Sequence, residues 1–164
     1  MLPFADGGET VSQAIQDLIP QHHCWGCGTL NPRGLHVKSH VEGDEVVCRF
    51  QPWPEHMAGP QDVVYGGIIA AVVDCHSVCT AIADAYRAAG QAVGQGPERW
   101  AVTASLRLDY LAPTPIGEVM ELRARVREAK GRKRVVECVL RSGGKETVRA
   151  EVVAVDVQAG WGRG

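Results

Sequence analysis

The sequence predicts an α+β domain in which an antiparallel sheet of about six strands wraps around one long buried helix. Three observations carry this. From about Gly66 to Ala89 the chain is apolar on nearly every side of a helix, with one carboxylate, Asp74, in its middle. A helix that is apolar all round belongs inside a core. The stretches on either side alternate with the period of strands, two before the helix and four after it. Glycine- and proline-rich turns separate those stretches, so the strands are expected as a hairpin followed by a four-stranded meander.

In chain order, Thr10-Val11-Ser12-Gln13 reads as a capping box, with Val11, Ala14, Ile15, Leu18 and Ile19 at helical spacing and Pro20 as the stop. Leu35 to Val41 alternates as a half-buried strand, Glu42-Gly43-Asp44 turns, and Glu45 to Phe50 returns. A proline-punctuated loop from Gln51 to Asp62 leads into the long helix. A glycine-rich connector, expected to be mobile, follows from Gly90 to Pro97. Trp100 to Leu111 alternates strictly, with Val102, Ala104, Leu106, Leu108 and Tyr110 on one face and Thr103, Ser105, Arg107 and Asp109 on the other. Val119–Ala129, Lys133–Arg141 and Thr147–Val157 are the last three strands. The organisation read from this is an N-terminal segment with a short helix (1–20), the main domain (21–158) and a flexible tail (159–164).

Length and charge narrow the function. A chain of 164 residues suits one domain with a sizeable core. A formal net charge of −2 provides no footprint for nucleic acid or an anionic membrane surface. No basic-then-apolar leader opens the sequence. Asp74 and His76 break the longest apolar run, which makes it a poor membrane span. The six cysteines are scattered, so reduced thiols and a cytoplasmic location are expected. Cys24 and Cys27 have the spacing of half a zinc site, with His22 and His23 alongside. A second pair at the usual spacing is missing, and Cys48, His36 or His40 would join only by folding back. Asn31-Pro32-Arg33-Gly34 follows as turn chemistry rather than the helix a redox Cys-x-x-Cys would want. The pair is therefore read as structural, with zinc and redox roles as alternatives, and no metal ligand set is assigned.

Taken together, the pattern resembles the hotdog fold, specifically the PaaI-like acyl-CoA thioesterases and their mammalian mitochondrial relatives, over roughly residues 24 to 157. Cys24-Trp25-Gly26-Cys27-Gly28 and Asn31-Pro32-Arg33-Gly34-Leu35 match a segment common near the start of such proteins. Their core motif is Gly-x-x-His-Gly-Gly with an aspartate seven residues after the second glycine, and Gly66, Gly67 and Asp74 match it. Thr103 falls where the mammalian branch carries a catalytic threonine. Tyr110-Leu111-Ala112-Pro113 and Gly131-Arg132-Lys133 also fit. The sequence departs at two positions: Tyr65 stands for the motif histidine and Asp62 for its first glycine.

The resemblance implies hydrolysis of an acyl- or aryl-CoA thioester without a cofactor, coenzyme A being part of the substrate. Such chemistry needs a group that stabilises the developing oxyanion and a base or nucleophile at the carbonyl carbon. The free N–H groups of a helix N-terminus at Gly66-Gly67 suit the first. Asp74 suits the second, with Thr103 positioning water. Tyr65, Gly66 and His56 are expected substrate contacts, as are Arg132 and Lys133, the latter two for the phosphates. Seven helical residues separate Gly67 from Asp74 by roughly 10 Å, too far for both to touch one carbonyl. The site is therefore expected across a homodimer, or a dimer of such dimers. The alternative is a non-catalytic acyl-CoA binding protein on the same fold. A hydratase would want an Asp and His pair that the sequence lacks in the right context.

Overall fold

A computed structural model of the chain describes residues 12–162. Its elements are α1 (Ile15–Leu18), β1 (Ser39–Glu42), β2 (Glu45–Phe50), a single 3-10 turn (Pro54–His56), α2 (Gly66–Ala88), β3 (Trp100–Tyr110), β4 (Met120–Lys130), β5 (Lys133–Ser142) and β6 (Lys145–Val157). The six strands form one sheet in the order β1-β2-β4-β5-β6-β3, and every neighbouring pair is antiparallel.

That order corrects the expected meander. β4, β5 and β6 do follow one another, but β3 does not pair with β4. It crosses to the far side of the sheet and pairs with β6, from Trp100 opposite Val157 to Tyr110 opposite Val148. β2 takes the place beside β4. The hairpin turns are legible locally, whereas the partner of a strand that follows a long helix is chosen by the whole sheet.

Two local expectations also shift. The first strand begins at Ser39 rather than Leu35. Leu35 and Val37 are buried, but as a docked loop, their N–H groups donating to the carbonyls of Trp25 and Gly26. Alternation of buried side chains does not distinguish such a loop from a strand. The first helix is one turn long, with Ala14 at its N-cap and no side-chain cap. Thr10 and Val11, half of the expected capping box, lie outside the described residues. The connector after α2 packs against the first helix rather than hanging free: a Cβ on Gly94 would lie 2.1 Å from the Leu18 carbonyl oxygen. The expected tail contains a turn at its start, closed by the Trp161 N–H on the Gln158 carbonyl.

The core forms between the sheet and α2. Phe50, Met120, Leu122, Val136, Leu140, Val148 and Val152 meet Ile69, Val72, Val73, Ile82 and Tyr86. Burying each large apolar side chain contributes about 1.5–3 kcal/mol, which holds the helix in the sheet's concavity. By length and composition α2 is the one helix among the described residues that could cross a membrane, but its buried residues are spent on this core. The sheet does not cover it completely. Gly67, Ala70, Ala71, Asp74 and Val78 recur at helical spacing and are exposed or half-buried. This open stripe borders β3, which Asp74 touches through Thr103.

Candidate active site

The Asp74 carboxylate and the Thr103 hydroxyl meet where that stripe borders β3: Thr103 Oγ1 donates to Asp74 Oδ1 at 2.5 Å. A β-bulge makes the contact possible. Thr103 sits opposite Ala154 and Ser105 opposite Val153, so Ala104 is the extra residue. Directly opposed residues share a face of the sheet. Thr103, Leu106, Leu108 and Tyr110 oppose Ala154, Val152, Ala150 and Val148, all buried against the helix. The bulge thus corrects the strict alternation expected for β3, which put Thr103 on the face opposite Leu106, Leu108 and Tyr110. Burial pushes the Asp74 carboxyl above the usual range, against the Thr103 hydrogen bond, which lowers it.

The glycine turn lies at the N-terminal end of the same helix. Tyr65 is the N-cap of α2, and its carbonyl accepts the N–H groups of Ile68 and Ile69 at 3.0 and 3.2 Å. The N–H groups of Gly66 and Gly67 find no partner among the described residues. They are the free donors a helix N-terminus offers an anion. The Tyr65 ring lies over Gly67, where a Cβ would come within 2.4 Å of a ring carbon. Tyr65 is 58% exposed, so nothing pins the ring there. Tyr110 closes the turn from β3: its hydroxyl donates to the Gly66 carbonyl at 2.8 Å. Burial, and then the neighbouring Tyr65, raise its phenol above the ordinary value. The sequence supplied a signal for Tyr110, in the Tyr-Leu-Ala-Pro segment, but not its role at the turn.

Asp62, the other departure, has a φ of 66°, in the left-handed region that glycine adopts freely and aspartate tolerates. Its carbonyl accepts the Ile116 N–H at 3.0 Å. The backbone turn before the helix is therefore kept without the glycine.

The remaining candidates are distributed as follows. His56 is buried; its ring stacks with Phe50 and Trp53, and its Nδ1 accepts the Trp53 N–H at 3.1 Å. Its carbonyl accepts the Tyr65 N–H at 2.7 Å, so it braces the turn from behind. Burial also holds the His56 imidazole below its ordinary value. Arg132 and Lys133 are exposed on the β4–β5 hairpin, at the end of the sheet where β3 begins. Behind them Arg134, which sequence reasoning missed, is buried and bridges Asp84 at 3.0 Å and Asp156 at 2.5 Å. His76 points away from Asp74; it is fully buried, its Nδ1 is 2.9 Å from Ser39 Oγ, and burial pushes it down to about 3. Gly67 and Asp74 lie on one helix, about 10 Å apart by its rise, so one chain does not bring them together. Of the possible extra metal ligands, Cys48, His36 and His40 do not join the group formed by His22, Cys24 and Cys27.

A model of the thioesterase superfamily matches residues 61–149, more than half of the chain, and spans the glycine turn, Asp74 and Thr103. The chain belongs to the thioesterase superfamily. Its sheet and central helix are the hotdog fold of that superfamily. A solved thioesterase superfamily protein from Shewanella loihica is 37% identical, with a TM-score of 0.58 over 82% of this chain and 93% of its own. The PaaI protein of E. coli shares the fold at 15% identity, with a TM-score of 0.60 over 75% of this chain and 80% of its own. Acyl-coenzyme A thioesterase THEM4 of Xenopus laevis is 30% identical over 69% of this chain and 45% of its own length. The rat protein of the same name is 26% identical over 69% and 43%. The chain thus spans less than half the length of these two curated relatives.

Proposed function

We propose that this chain hydrolyses the thioester of an acyl- or aryl-CoA to the free acid and coenzyme A, at two equivalent sites in a homodimer. The observation that carries the reading is the Asp74–Thr103 hydrogen bond between the central helix and β3, in a member of the thioesterase superfamily. In this mechanism the N–H groups of Gly66 and Gly67 from one protomer polarise the thioester carbonyl. Asp74 of the other removes a proton from water, and the hydroxide adds to the carbonyl carbon. The C–S bond then breaks and the coenzyme A thiolate leaves, taking up the proton held by Asp74. Thr103 keeps one carboxylate oxygen engaged and directs the other at the water. No cofactor is required.

Two features support the dimer. β3 is an eleven-residue edge strand with one side unpaired, the kind of edge a second copy can extend. The open stripe on α2 lies beside it, where the same partner would bring its own glycine turn to Asp74. A dimer of such dimers is compatible with the same contacts. Arg132 and Lys133 are the candidates for the coenzyme A phosphates.

The Tyr65 ring over Gly67 favours one other reading, an acyl-CoA binding protein that does not turn its ligand over. Thiol release from a panel of acyl-CoAs separates the two. Hydrolysis by the wild type, abolished in Asp74→Ala, is expected, and tight binding without release would establish the binding protein. Mixed dimers of Asp74→Ala with a Gly67-blocked chain recover part of the activity if the site is shared. No recovery in verified heterodimers would refute the shared site.

A further inference from the structure

One cluster of metal-capable side chains lies outside the site described above. A ring nitrogen of His22 and the sulfurs of Cys24 and Cys27 all lie within 4.8 Å of one another. In a tetrahedral zinc shell such atoms stand about 3.5–3.8 Å apart, so a small inward turn of the side chains closes the set. Both cysteines are free thiols. Cys75 touches Cys24, sulfur to sulfur at 3.7 Å, but stands outside the group.

The backbone holds these donors in place. The Leu30 N–H donates to the His22 carbonyl at 3.1 Å and the Gly28 N–H to the Cys24 carbonyl at 2.8 Å. Gly28 permits this closure, since a Cβ there would lie 2.4 Å from both the Cys24 nitrogen and the His22 carbonyl oxygen. The His22 ring stands edge-on to Trp100, with centroids 5.5 Å apart. Within this frame the imidazole is left unsatisfied. Its Nδ1 accepts the Cys24 N–H at 3.3 Å, so the neutral ring carries its proton on Nε2. Nε2 is buried and has no partner among the described residues. A buried donor without an acceptor is costly to keep. Two adjacent sulfurs and an orphaned imidazole nitrogen are the donor types that zinc prefers.

We propose that His22, Cys24 and Cys27 bind one zinc-type divalent cation, with water in the fourth position of a tetrahedral shell. Solvent has access to it: Cys24 is exposed, and His22 lines an open cleft with His23, Trp100 and Trp161. The two thiols ligate as thiolates and release their protons to solvent. The imidazole stays neutral. Its proton passes from Nε2 to Nδ1 as Nε2 takes the metal, and the long hydrogen bond from Cys24 is given up. All three ligands belong to one turn, His22-x-Cys24-x-x-Cys27, so the metal stiffens that turn. The turn in turn is seated on α2, where Gly26 makes room for the Cys75 sulfur; a Cβ there would lie 2.2 Å from it. Cys75 follows Asp74, so the stiffened turn steadies the helix next to its carboxylate.

The test uses the full chain, purified under reducing conditions without a histidine tag, stripped of metal and dialysed against dilute zinc. Elemental analysis is expected to find about one zinc per chain in the wild type, in His23→Ala and in Cys75→Ser. It is expected to find none in His22→Ala, Cys24→Ser or Cys27→Ser. Cobalt in place of zinc is expected to give the wild type sulfur-to-cobalt charge-transfer bands and the visible bands of a tetrahedral site. Zinc is expected to raise the Tm of the wild type and to leave that of Cys24→Ser unchanged. Cys24 is exposed, and the cobalt spectrum needs no variant, so the test stays open if the buried substitutions do not fold. A wild type that binds neither zinc nor cobalt would overturn the proposal. So would zinc content unchanged in His22→Ala or Cys24→Ser, or zinc lost in Cys75→Ser and kept in His22→Ala.

Discussion

Gly67→Ala separates the chemistry of the helix N-terminus from its stability, because the two should move in opposite directions. The added Cβ would stand 2.4 Å from one Tyr65 ring carbon, 2.8 Å from Cζ and 3.0 Å from the hydroxyl oxygen. Those contacts are too close, so the ring must swing away. The nearest atoms all belong to that one side chain, which is 58% exposed, and no backbone stands in the way. Displacing it costs little, while alanine is favoured over glycine in a helix by about 0.5–1 kcal/mol. Urea unfolding is therefore expected to show stability unchanged or raised by up to about 1 kcal/mol. The methyl group and the displaced ring crowd the space beside the Gly67 N–H, where the oxyanion would sit. Losing one such donor typically lowers kcat by about 10²–10³, or about 2.7–4 kcal/mol. Steady-state thiol release on the same preparation should show this fall in kcat with KM changed far less. Stability and kcat falling together would mean that Gly67 serves the fold. An unchanged kcat would remove the Gly67 N–H from the reaction. Tyr65→Ala completes the comparison: it is expected to raise kcat if the ring obstructs the N–H groups.

Thr103→Val removes a hydrogen bond to a carboxylate, worth about 1.5–3 kcal/mol, so kcat/KM should fall roughly 10- to 100-fold. Thr103→Ser should retain most of it, and equal losses in the two variants would argue against the hydroxyl. Asp62→Gly relieves a left-handed residue and should raise unfolding stability by about 1 kcal/mol in urea, with the turn before α2 intact. A decrease would mean that the aspartate side chain contributes more than its backbone costs. Arg134→Met leaves Asp84 and Asp156 without their shared partner. Breaking a buried pair costs about 3–5 kcal/mol, and the partial exposure of Asp156 puts the expectation near the lower figure. Denaturation that is unaffected would show the triad to be energetically idle.

Much of the fold was legible because its signals are local. The apolar girth of α2, the single Asp74 within it and the turns at Gly43, Gly131 and Gly143-Gly144 set each element within a residue or two along most of the chain. The misread parts depend on partners. Leu35 and Val37 alternate like a strand yet dock as a loop, since burial alone does not specify ladder pairing. β3 alternates like its neighbours yet lies at the sheet edge, because only the closed sheet decides which strand is left for it.

The candidate site divides in the same way. The sequence by itself determined the superfamily motif around Gly66, Gly67 and Asp74, because a glycine turn and a lone carboxylate in an apolar helix are visible in one short stretch. Tertiary structure alone decided that Thr103 reaches Asp74, since the bulge at Ala104 depends on the register between β3 and β6. It alone brought Tyr110 to Gly66, and Cys75 to Cys24. Each of these contacts joins residues that are distant in the chain, and such proximity is set by how the sheet closes on the helix, not by any pattern within either segment.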